Sequence, residues 1–175
     1  MSDRQQASRL AKAGFDLWQE GRLEEAVERY REALTVADPG YFATPEYHGE
    51  LAHVLAALGR DEESRMRYET YLDLLINRRE PPNNLELDVA RYFVGQHLLK
   101  MGLSSEALTT IQPSLERPHQ PEDRLVPLRT IRAQALWQLG RLDEARQAAQ
   151  EAVAVASSEE MRQSICEELR DMLPD

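Results

Sequence analysis

The sequence predicts an all-α fold, an α-solenoid of about four helix-turn-helix repeats closed by a C-terminal capping helix. Three observations carry that expectation. Every periodic apolar segment follows the 3.6-residue spacing of a helix, and no stretch alternates as a strand would. A glycine followed by Arg or Leu recurs at Gly21-Arg22, Gly59-Arg60, Gly102-Leu103 and Gly140-Arg141, at spacings of 38, 43 and 38 residues. Each instance follows one helical pattern and opens another. Finally, Met161, Ile165, Leu169 and Met172 form one apolar stripe on an otherwise charged segment, as the open end of a helical stack requires.

A chain of 175 residues suits a single domain spanning 1–175, with one continuous core or a short repeat array. Hydrophobic residues at 42% place it away from disordered chains. The formal net charge of −10 disfavours phosphate backbones and anionic lipid, so neither nucleic acid nor a membrane surface is expected as a partner. One cysteine, Cys166, excludes an intramolecular disulfide and gives a metal no thiolate pair. The polar start MSDRQQASRL lacks a signal-peptide pattern and no segment reaches the apolar length of a membrane span, so a cytoplasmic location is expected.

The elements follow in order. Repeats are expected at about 3–39, 44–80, 84–117 and 121–156, with the capping helix at 158–173. The first repeat opens on a capping box, Ser2-x-x-Gln5, with helices over about 3–19 and 23–37. Gly21 ends the first helix, because glycine takes a left-handed conformation without strain; Pro39 stops the second. Thr44-Pro45-Glu46 reads as an N-cap, an N1 proline and an early carboxylate opening the second repeat. There Tyr71 stands where a small residue is expected, predicting looser or re-angled packing. Glu80-Pro81-Pro82-Asn83-Asn84 is the clearest linker. In the third repeat Pro113 should kink or shorten the second helix. Pro118 and Pro121 bracket the next connection, and Ser157-Ser158-Glu159-Glu160 starts the capping helix.

The first repeat reads Leu10-x2-Ala13-Gly14-x2-Leu17, then Gly21, Ala26-x3-Tyr30-x2-Ala33 and Pro39. This resembles the tetratricopeptide repeat (TPR), in which small residues let two helices approach while large ones fill the flanks. The resemblance covers roughly residues 4–155, with repeats longer than the minimal period of about 34, like those of elongated bacterial arrays. It implies a right-handed superhelix whose first helices line a concave face. That face would present Ala11, Phe15 and Trp18; Gly49, His53 and Ala56; Tyr92, Gln96 and Leu99; and Thr130, Gln134 and Trp137. The peptide-binding candidates are Phe15, Trp18, His53, Tyr92, Gln96, Leu99, Gln134 and Trp137. The opposing reading is that such an aromatic stripe is core.

No catalytic, cofactor or metal constellation is apparent. Of the histidines His48, His53, His97 and His119, His48 and His53 point about 140° apart around a helix, a poor metal pair. Paired glutamates at helix starts read as dipole-stabilising surface residues, and Cys166 as an inert half-buried thiol. The basic and amide residues that clamp a chaperone tail's carboxylate are replaced by Ala11, Phe15, Glu50, Val89 and Phe93. Arg91, Arg129 and Arg132 hold places usually apolar, where their stems can cover the helix pair. The expected function is therefore a non-catalytic adaptor that takes a peptide or helix in its groove. Alternatives are a dedicated chaperone for an apolar client and a self-assembling homodimeric scaffold.

Overall fold

The computed structural model of the chain describes residues 2–78, 83–118 and 122–173. Among these it contains nine α-helices, two short 3-10 turns and no strand. The chain divides into two compact units, residues 1–83 and 84–175. The first holds α1 (Asp3–Gln19), α2 (Leu23–Val36), α3 (Thr44–Ala57) and α4 (Asp61–Asn77). The second holds α5 (Asn84–Lys100), α6 (Ser104–Leu115), α7 (Val126–Gln138), α8 (Leu142–Ala154) and α9 (Glu159–Glu168). Consecutive helices pair as α1 with α2, α3 with α4, α5 with α6 and α7 with α8, and within each unit one pair stacks on the next. This is the all-α helical-repeat architecture that the sequence predicts.

The turn inside each pair is built the same way four times. Gly21, Gly59, Gly102 and Gly140 have φ of 76°, 73°, 74° and 72°, the left-handed region that glycine tolerates best. That geometry lets the next residue's N–H reach back to a carbonyl of the finished helix, as Arg22 to Leu17 and Arg60 to Leu55, both at 2.9 Å. The arginine of each Gly-Arg pair then binds the glutamate three residues on. Arg22 Nε meets Glu25 at 2.7 Å, Arg60 Nη2 meets Glu63 at 2.5 Å, and Arg141 Nε meets Glu144 at 2.8 Å.

Close approach of the paired helices depends on glycine facing a ring. A Cβ on Gly14 would lie 3.0 Å from the Tyr30 ring. The looser packing expected at Tyr71 does not occur. Gly49 stands opposite, where a Cβ would lie 3.2 Å from that ring, and Tyr71 is buried. A glycine on the first helix thus makes room for the ring that stands on the second. Ser64, where the other repeats place Ala26, Ala107 and Ala145, is fully buried and donates to the Ala52 carbonyl at 2.7 Å.

The capping box forms, with Ser2 Oγ accepting from Gln5 N and Gln5 Oε1 accepting from Ser2 N. Ser158 caps α9 by accepting from Met161 N at 3.1 Å. Thr44 is not an N-cap: it lies inside α3, and its hydroxyl donates to the Asp38 carbonyl at 2.7 Å. Pro113 is accommodated within α6, which ends two residues later. The capping segment is not one continuous helix. α9 stops at Glu168, and a 3-10 turn, Arg170–Met172, brings Met172 back to the core. Of the expected linkers, Glu80-Pro81-Pro82 and Pro121 lie outside the described residues, as does His119; Asn84 opens α5.

Candidate interaction face

In the first unit three of the predicted residues come together. α1 presents Phe15 and Trp18 one turn apart, with ring centroids 5.7 Å apart and nearly perpendicular. Trp18 also lies 5.0 Å from the ring of His53 on α3. His53 Nδ1 in turn sits 3.4 Å from the Tyr68 hydroxyl of α4. These contacts join Phe15, Trp18, His53 and Tyr68 in one line across three helices. Phe15 is 41% exposed, Trp18 and His53 are half-buried, and Tyr68 belongs to the core. The line therefore runs from open surface inward. Trp18 is both surface and packing, because it also packs against the buried hydrophobic cluster of the first unit.

Charge borders this face. Glu50 lies one turn before His53 on α3, half-buried, and its carboxyl is held above the ordinary range by burial, with Glu46 adding repulsion. The Tyr30 side chain is fully buried. Its ionisation is pushed up by burial first, then by the charge and hydrogen bonding of Glu50 and by the field of Asp16. Burial lowers the pKa of His53, which favours the neutral ring beside Trp18.

The second unit differs. Gln96 is exposed and Tyr92 half-buried, but Leu99 is 7% exposed and packs inward. The terminal helix reaches the remaining candidates. Gln134 Nε2 donates to Glu168 of α9 at 2.8 Å, and Glu168 also raises the Tyr92 phenol after burial. Trp137 is half-buried against the core that contains Ile165, Leu169 and Met172. What α5 leaves open is Leu85, Val89 and Phe93, at 55%, 42% and 36% exposure and spaced four residues apart on one stripe. Val89 and Phe93 share the face of Gln96. The signal for them was already in the sequence, since both occupy places that the carboxylate clamp assigns to the groove.

The arginine series is engaged internally. Arg91 is 9% exposed and its Nη1 donates to Ser114 at 2.8 Å; Ser114 donates to Asp88, which Arg117 also binds. Arg129 and Arg132 approach Glu151 of α8 at 3.7 and 3.4 Å. Cys166 is half-buried. Among the described residues, no group of three His, Cys, Asp or Glu side chains is placed to hold a metal ion, and no helix is long and apolar enough to cross a membrane.

A family model described as tetratricopeptide repeat matches residues 95–160, from the last turns of α5 into α9. Residues 95–160 match the tetratricopeptide repeat. Solved TPR structures extend the likeness over nearly the whole chain. MamA (residues 41 to the end) from Desulfovibrio magneticus RS-1 is 18% identical at a TM-score of 0.70, covering 95% of this chain and 94% of that one. A putative kinesin light chain from Podosopora anserina with nearly identical TPR-like repeats is 16% identical at 0.79, covering 98% and 87%. YrrB, described as a TPR protein with an unusual peptide-binding site, is 18% identical at 0.61, covering 95% and 86%. At such identities the likeness is one of TPR fold. No curated protein matches the sequence.

Proposed function

We propose that the protein is a non-catalytic interaction module that binds a peptide or helical segment of a protein partner on the Phe15–Trp18–His53 face of its first unit. One observation carries the reading: an aromatic line rooted in the core at Tyr68 emerges at Phe15, with large rings left in contact with water. Rigid aromatic side chains gain much from burial by a partner and lose little conformational entropy in doing so. The TPR fold supports a protein or peptide ligand in general, and the peptide-binding site that YrrB is described as having supports it in particular. In the second unit, taken by itself, Gln96 with Val89 and Phe93 is a separate candidate surface on α5, whereas Gln134 is already bonded to Glu168 of α9.

The test separates binding from folding. Phe15→Ala removes the most exposed ring and should shift stability by less than about 1 kcal/mol. Partners would be captured from a lysate of the source organism with the wild-type protein and with the variant, and thermal unfolding of both would be measured alongside. Loss of a captured protein on the variant, at unchanged stability, supports this face. Recovery of the same proteins by both would place the interface elsewhere. A partner that proves to be a second copy of the chain would make the protein a self-assembling scaffold.

A further inference from the structure

The aromatic face carries an unbalanced charge. Glu50 is half-buried one turn from His53 and has no cationic partner within ion-pair distance among the described residues. Asp16, by contrast, is bound by Lys12 at 2.7 Å. The fully buried Tyr30 hydroxyl faces that same Glu50 carboxyl, which acts on it by charge and by hydrogen bonding. Glu50 and His53 lie one turn apart on the same face of α3, and the His53 ring meets that of Trp18, so the carboxylate borders the rings. A wholly apolar partner docked here would cover Glu50 and leave a desolvated carboxylate unpaired, an unfavourable arrangement. An acidic partner would meet Glu50, Glu46 and Asp16 with like charge. A cation on a long apolar stem satisfies both halves of the patch, since its charge meets the carboxylate while stem or guanidinium plane lies on aromatic faces.

We propose that this face receives a basic segment of the partner, with an arginine or lysine side chain lying against Phe15 and Trp18 and its charge on Glu50. The inference rests on the peptide-binding reading above and adds the chemistry of the ligand.

The experiment uses the full chain and two capped peptides of identical shape. One alternates leucine with arginine, and the other replaces each arginine by neutral citrulline. Binding is followed by calorimetry with the wild type, Glu50→Gln and Trp18→Ala, and circular dichroism verifies the fold of each. The expected result is binding of the arginine peptide at least about fivefold tighter than the citrulline peptide. Glu50→Gln should bring the two close to equal, and added salt should weaken only the arginine peptide. Equal binding of both peptides to the wild type overturns the inference without needing any variant. If Trp18→Ala then abolishes binding of both, the face remains a peptide site with no preference for charge. Failure of the arginine peptide to bind, or a preference that survives in Glu50→Gln, also overturns it.

Discussion

His48 shows how one side chain can set a pH response. It lies half-buried on α3, its Nδ1 buried without a partner, and its pKa is lowered to about 4, mainly by burial and secondarily by the charge of Arg67. In the unfolded chain it would titrate near its ordinary value of about 6.5. Between those two values the unfolded state binds a proton that the folded state refuses, so stability falls as pH drops through this window. His53 is shifted in the same direction. Glu50, held up by burial, acts oppositely, because its contribution is lost as pH rises above the usual glutamate range. The prediction is therefore comparative. Urea midpoints measured at pH 7 and pH 5 should fall more for the wild type than for His48→Gln, and parallel losses would show that His48 is not the source.

At the scale of elements, the terminal segment decides whether the stack can end in water. Ile165, Leu169 and Met172 are buried against Ala145, Ala149 and Ala152 of α8 and Leu136 of α7. Burying each such side chain is worth about 1.5–3 kcal/mol relative to exposure, an upper estimate when the unfolded chain is compact. Truncation after Ser157 should therefore remove a large share of the stability of a marginally stable domain and expose an apolar flank. Light scattering and thermal unfolding of the truncated chain would check this. A monomeric product of unchanged stability would mean that α9 is an appendage rather than a cap. α9 also reaches Gln134 through Glu168, so truncation would open a candidate binding residue at the same time.

For the whole molecule, the question is how far folding is shared. Each unit has a core of its own. One is built on Val27, Tyr30, Leu51 and Leu55, and the other on Ala133, Leu136, Ala149 and Leu169. Helical repeats contact mainly their sequence neighbours, so stability is close to a sum of local terms, and a weak junction divides it. We expect residues 1–83 expressed alone to be helical and to unfold cooperatively, and the full chain to show more than one calorimetric transition. A single transition in which calorimetric and van't Hoff enthalpies agree would show that the two units fold as one.

Much of this protein was legible in its sequence because the determining chemistry is local. A left-handed glycine, the arginine that pairs with the glutamate three residues on, a serine capping box and the Ala-Tyr-Ala spacing of α2 act within one or two helical turns. Distance along the chain conceals the rest. Tyr71 looks oversized until Gly49 is placed against it, and Arg91 looks misplaced until Ser114 and Asp88 surround its charge. Leu99 and Phe93 cannot be ranked as inward and outward from α5 alone, because the helices packed around α5 decide which stripe is covered. The same holds for Glu50: the sequence places it on the groove face, but only packing sets it beside Tyr30. Periodicity along each helix determined the fold, whereas the surface left open was decided by which helices cover one another in three dimensions.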